Sequence, residues 1–225
     1  MLLALDTSTE QLGLALFDGH RVLTEVVWHA GRHHTRELAP WIHRVLEANG
    51  LQPQDLEVIA VATGPGSFTG LRVGMSVAKA MALALRLHLV GVFSLDVTAA
   101  GTPPYPRRLL LAVLPMGRGR LAAGWYRWRR DHWHAEGTPF LATPEELLKG
   151  IAEPILVSGE MPVDARQILG QSPFVHLLPP PLDVRRPSWL AYLGWARWKK
   201  GLIDDPVTLT PYYLSQTSKP RSSGI

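Results

Sequence analysis

The 225-residue chain has no cysteine. That excludes disulfides, thiolate nucleophiles and thiolate metal sites, and says nothing further about compartment. Charge is sparse too, at 19% of residues against 46% hydrophobic. This balance excludes a disordered chain and leaves room for a real core. No continuous apolar run reaches the ~20 residues of a membrane span. Residues 1–5 are apolar, but Asp6 interrupts them and no basic segment precedes them, so no secretory leader is expected and the chain is expected to be cytoplasmic. The net charge of +4 permits contact with RNA without demanding it. Three familiar motifs are missing. Gly64-x-Gly66-x-x-x-Gly70 is one residue longer than the dinucleotide fingerprint, and Leu71-Arg72 stands where a P-loop needs Lys-Ser/Thr. Gly66-Ser67-Phe68 does not make the hydrolase G-x-S-x-G elbow.

What is present centres on Val58 to Leu85. Val58 to Ala62 is a short apolar run suited to a buried strand. Gly64-Pro65-Gly66 breaks it. Ser67 or Thr69 can cap a helix from Gly70 to Leu85. Strand, glycine turn and helix together aim backbone N–H groups and a helix dipole at an anion; the same residues also suit a tight turn with no ligand. Gly74, Ala78 and Ala82 fall four apart, a stripe with almost no side chain that would let another helix approach closely.

Before this segment, Leu2 to Leu5, Gly13 to Phe17 and Val22 to Trp28 read as strands, with a turn at Asp18-Gly19. Arg36 to Ala48 reads as a helix with Leu38, Trp41, Ile42, Val45 and Leu46 on one face. Pro40 either lies near its start or bends it. After Leu89 to Phe93 the order repeats: strands at 109–114, 121–129 and 133–136, a helix at 144–151 with a Thr143/Glu146 capping box, a strand at 155–157, then a turn at Ser158-Gly159. A last amphipathic helix spans Ser188 to Lys200, its aromatic residues read as core. Two lobes are expected, 1–100 and 101–214, with 215–225 a mobile tail.

GPGSFTGLRVG, the N-terminal LLALDTSTE and the His34-Thr35-Arg36…Pro40-Trp41-Ile42 segment resemble the TsaB (YeaZ) family. The resemblance lies within residues 1–100. It implies an α/β fold of the actin, sugar-kinase and chaperone-ATPase superfamily (ASKHA), two lobes each with a mixed sheet and flanking helices. It also implies a non-catalytic subunit that pairs with TsaD and supports transfer of threonylcarbamoyl to the adenosine beside the tRNA anticodon. The ATPase TsaE would join the assembly, tRNA would be met through the complex, and a homodimer would form in isolation. TsaD carries a His-x-x-x-His metal pair; the matching positions here are Ser94 and Thr98, so no catalytic or metal residue is assigned. The docking residues expected on the two N-terminal helices are Leu38, Ile42, Val45, Gly74, Met75, Ala78 and Ala82.

In that superfamily two glycine turns clamp a nucleotide. Asp6, Thr7, Ser8, Gly64, Gly66 and Ser67 are the candidates here for weak ATP, phosphate or Mg²⁺ contact; Asp6 serves equally as a turn residue. The second lobe offers Met116 and Glu160 at the corresponding turns, a poor half-site. An ASKHA phosphotransferase or ATPase is the alternative reading, and a peptidase a further one. His29, His33, His34 and His43 cluster in sequence, with His34 read as structural. Arg118 to Trp133 alternates Arg with aromatics, a pattern shared by RNA platforms and by packed hairpins.

Overall fold

The computed structural model describes residues 1–31 and 33–214. In chain order it forms β1 (Leu2–Asp6), β2 (Gln11–Phe17), β3 (Val22–His29), α1 (His34–Ala48), β4 (Val58–Gly64), α2 (Phe68–Leu85), β5 (His88–Phe93) and α3 (Ser94–Ala100). Then come β6 (Leu109–Pro115), β7 (Leu121–Arg129), β8 (His132–Ala142), α4 (Pro144–Lys149), β9 (Ile155–Ser158), α5 (Val163–Leu169), β10 (Val175–Leu177) and α6 (Pro187–Lys199). The expected mobile tail at 215–225 lies outside the described residues.

The chain divides into two compact units. One comprises Met1–Val97 with Arg186–Tyr212; the other comprises Thr98–Arg185 with Tyr213 and Leu214. The first holds a five-stranded sheet ordered β3-β2-β1-β4-β5, antiparallel across β1, β2 and β3 and parallel across β1, β4 and β5. The second holds β8-β7-β6-β9-β10 with the same alternation of hairpins and parallel strands. The repeat read as order in the sequence is thus a repeat of topology.

A boundary drawn at residue 100 misplaces the last helix. α6 lies on the first sheet, not in the second unit. The reason is written in the strands. Successive residues of a strand face opposite sides. Leu3, Leu5, Leu14, Ile59, Val61 and Leu89 meet α1 and α2 on one side. Leu2, Ala4, Ala15, Ala60, Ala62 and Val90 make the other, where Leu190 and Ala191 cover them. That second face is rich in alanine, and α6 presents Gly194 to it. A Cβ on Gly194 would stand 2.5 Å from the Ala60 Cβ, so the helix sits as close as a backbone can. Inward residues of α6 are Leu190, Ala191 and Gly194, while Trp189 and Tyr192 are exposed. The aromatics expected in the core therefore flank the contact or face water.

α1 starts at His34 and runs through Pro40, which lies on its exposed side. α2 is the one helix, among the described residues, long and apolar enough to cross a membrane. Its Gly70, Leu71, Gly74, Met75, Ala78 and Ala82 are buried against the first sheet. Three short elements, α3, α5 and β10, carry too few residues for a period to show in the sequence.

Candidate functional site

The two N-terminal motifs meet at the carboxyl end of the first sheet. β1 ends in Asp6, and Thr7, Ser8 and Thr9 follow; all four are buried. The Ser8 amide donates to Asp6 Oδ1 at 2.9 Å, an Asx turn that reverses the chain into β2. β4 ends in Gly64, joined to Pro65 by a cis peptide bond. Ser67 caps α2, its Oγ accepting from the Gly70 amide at 3.2 Å.

Each glycine of the turn is required by a backbone atom of the same chain. A Cβ on Gly66 would lie 2.3 Å from the Ser8 carbonyl oxygen, and one on Gly70 would lie 2.2 Å from that of Thr7. Gly64, at φ +111°, has the Tyr212 carbonyl oxygen 2.5 Å from the position of its missing Cβ. Hydrogen bonds complete the lock. The Ser67 amide donates to the Ser8 carbonyl at 2.7 Å, and Thr7 Oγ1 donates to the Gly70 carbonyl at 2.7 Å. Ser94, fully buried at the head of α3, holds the Ser8 hydroxyl at 2.7 Å and accepts from the Gly64 amide at 3.1 Å. The Tyr212 amide closes the set by donating to the Thr63 carbonyl at 2.7 Å.

Of the nucleotide candidates, the structure brings Asp6, Thr7, Ser8, Gly64, Gly66 and Ser67 together, but as a joint between elements. Asp6 is 2% exposed, and Thr7 and Ser8 less. Carbonyl oxygens occupy the hollows that the glycines leave, and a carbonyl repels a phosphate. Only Ser67 is exposed. A ligand at Asp6, Thr7 or Ser8 would have to break the joint first.

The docking residues require a correction of the same kind. Leu38, Ile42 and Val45 of α1 and Gly74, Met75, Ala78 and Ala82 of α2 are all buried in the first unit. Gly74 of the small stripe faces the end of β1 and not a second helix: a Cβ on it would lie 2.2 Å from Thr7 Oγ1. Periodicity identified the apolar face correctly and assigned it the wrong neighbour, because a core face and a docking face have the same spacing. The surface that α2 does present is the opposite one. It carries Phe68 at 54% and Leu83 at 61% exposure, with Ser76, Ala80 and Ala84 between, and Arg72 stacked 3.8 Å over the Phe68 ring. α1 adds Ala39, Pro40, His43 and Arg44 to the outside.

In the second unit the turn after β9 is also closed. Gly159, at φ +125°, has the Val113 carbonyl oxygen 2.0 Å from its missing Cβ. Glu160, which would repel a phosphate if charged and bare, takes a bond of 2.7 Å from the buried Arg185. Asp183 accepts from the Gly159 amide at 3.3 Å and from Arg166. Burial pushes the Asp183 carboxyl above its ordinary range even with these donors beside it. Among the histidines, His34 is buried with Nε2 2.7 Å from the Thr9 carbonyl oxygen, a structural bond. No group of three metal-ligating side chains forms among the described residues. The Arg-aromatic hairpin is packed at Tyr126 and at Trp133, whose indole donates to the Thr102 carbonyl at 3.0 Å.

A sheet of three antiparallel and two parallel strands, occurring twice, with a glycine turn after the first inner parallel strand, defines the class: the ASKHA or RNase H-like fold. A likeness at TM-score 0.50 and 14% identity to the ethanolamine utilization protein EutJ from Carboxydothermus hydrogenoformans, over 85% of this chain and 89% of that one, bears on the fold alone. Within that class the chain is 31% identical over 220 residues to the tRNA threonylcarbamoyladenosine biosynthesis protein TsaB of Bacillus subtilis, covering 95% of this chain and 93% of the relative. It is 32% identical over 148 residues to TsaB of Escherichia coli, 64% of this chain and 63% of that protein. YeaZ from Pseudomonas aeruginosa superposes at TM-score 0.78 and 25% identity, over 95% and 99% of the two chains. Residues 28–133 match the family model described as TsaD, tRNA N6-adenosine threonylcarbamoyltransferase. The chain belongs to the TsaB family, whose members act in threonylcarbamoyladenosine modification of tRNA.

Proposed function

We propose that the chain is a non-catalytic subunit that docks TsaD and thereby supports transfer of threonylcarbamoyl to the adenosine next to the anticodon, with TsaE joining the assembly in the cytoplasm. One observation carries this reading. The outer face of α2 is apolar and open to solvent, with Phe68 and Leu83 more than half exposed and only Arg72 and Lys79 charged along the helix. Hydrophobic surface of this kind on a folded unit marks an interaction site. The closed turns in both units support the absence of catalysis: the groups that would hold a nucleotide are spent on the fold.

The occupant is a partner with a complementary helical face, and TsaD fits because its family model aligns with this chain across α1 and α2. In isolation the same face closes on a second copy, since a self-complementary patch favours two-fold pairing. Leu83→Glu decides the matter. The side chain points outward, so the monomer keeps its thermal transition, while co-elution with TsaD and self-association both disappear. Undiminished co-elution places the interface elsewhere. Met75→Glu is the wrong probe, because Met75 is buried and a charge there unfolds the unit.

A further inference from the structure

The amino end of the parallel strands, where α2 finishes, differs in chemistry from the apolar outer face of that helix. Strand register places Leu2, Phe17, Val58 and His88 side by side at the amino end of the parallel strands. α2 and α6 both terminate there. Arg86 caps α2 in the left-handed conformation, and α6 finishes in Arg197, Trp198 and Lys199 with Lys200 as its cap. A helix carboxyl end favours a cation through its dipole, and one suffices for that; α6 supplies three.

Arg86, His88, Lys199 and Lys200 are all exposed. Among the described residues, none of Arg86, Lys199 and Lys200 has an ion-pair partner. The nearby acids are already engaged: Glu57 takes the amino terminus and Asp18 takes Arg21. Glu57 is held below the ordinary carboxylate range first by that terminal ammonium, with Lys199 and His88 adding attraction. Two half-buried indoles lie beneath them. Lys199 Nζ sits 4.7 Å over Trp195 and 4.3 Å over Trp198, and His88 stacks at 6.0 Å against Trp198.

We infer that this end of the first unit is a contact surface for the phosphate backbone of RNA. Exposed Arg and Lys pair with phosphates, and an aromatic ring beside them offers an unpaired base a face to stack on; a folded RNA offers both. An acidic protein would use the cations and leave the indoles idle. The inference rests on the family's place in tRNA modification but not on TsaD docking, because it uses cations and not the apolar outer face of α2.

The test is fluorescence anisotropy of the full chain with labelled unmodified tRNA across a salt series, without TsaD. The variant is Arg86→Asn with Lys200→Gln. Asn tolerates the left-handed backbone of position 86, and neither side chain is buried. Binding should weaken about tenfold at low salt, and the slope of log K against log salt should shrink by about 2, one for each phosphate that the variant leaves unneutralised. Arg130→Glu, on an exposed turn of the second unit, should change neither. Phe68→Glu, at the far end of α2 from Arg86, should keep full RNA binding while co-elution with TsaD is lost, which separates this surface from the docking face. An unaltered affinity and slope in the double variant overturns the assignment. Heparin competing as well as unlabelled tRNA at matched charge overturns it too, by reducing the site to a general polyanion patch.

Discussion

Ser94 shows how one hydroxyl can hold a turn that sequence motifs suggest is for ligands. It bridges the Ser8 hydroxyl and the Gly64 amide with no access to water. Ser94→Ala leaves a buried hydroxyl and a buried N–H short of a partner, a loss of about 2 kcal/mol. Urea unfolding should show the midpoint fall with an unchanged slope. Gly66→Ala strikes the same joint from outside. Its methyl would meet the Ser8 carbonyl oxygen at 2.3 Å, and backbone cannot give way as a flexible side chain can. The expected loss is about 3 kcal/mol, at the upper end for overpacking. A Gly66→Ala protein as stable as the parent would show that the turn is looser than its geometry and could open to a phosphate after all. Asp6, Thr7 and Ser8 were readable as a cluster because they follow a strand. Their closure was not, because it depends on Gly66, Gly70 and Ser94, which lie far along the chain.

At the level of the element, α6 is fastened to β3 by a single carboxylate. Glu25 accepts from Arg186 Nε at 2.8 Å and from the Ser188 amide at 2.9 Å, so it neutralises the helix's flanking cation and caps an orphan amide at once. Burial pushes the Glu25 carboxyl up, and the bonds from Arg186 and Ser188 outweigh it, leaving the group below its ordinary 4.5. A carboxylate depressed in the fold adds stability above its unfolded value, and that stability is lost as pH falls through the folded value. Glu25→Gln should therefore cost about 1 kcal/mol near neutrality, the usual worth of a lost cap. The gap between parent and variant should close as pH drops below about 4.5. Thermal melts of both proteins across that range check it. A gap independent of pH would assign the loss to packing. The helices themselves were legible: α1, α2 and α6 are long, α1 has a clear apolar period, and Ser67 and Thr143 stand where caps are expected. Which side of α2 meets the sheet is a different matter. Both faces of that helix are apolar, so its period carried little information, and burial alone separates Met75 from Leu83.

For the molecule as a whole, sequence order and spatial assembly part company at α6. The first sheet is built from residues before 100, yet one of its faces is covered chiefly by residues after 186, with Val97 of α3 beside them. The alanines at 4, 15, 60 and 62 record this arrangement: they leave a shallow surface that only a close-packed helix with Gly194 can fill. The chain then continues past β5, where the Gly91 amide donates to Asp204 at 2.8 Å, and reaches Tyr212 at the glycine turn. A chain ending at residue 100 would expose Leu2, Val58, Val90 and their neighbours, all fully buried in the intact protein. At about 25 cal/mol per Å² of apolar surface, leaving such a face bare outweighs the few kcal/mol that hold a domain together. Residues 1–100 expressed alone should be insoluble or lack a cooperative melt. Supplying residues 186–214 as a second polypeptide should restore the transition, and Gly194→Leu in that second piece should abolish the rescue. Independent cooperative folding of residues 1–100 would mean that α6 is an ornament on a self-sufficient lobe, and the alanine face would then need another explanation.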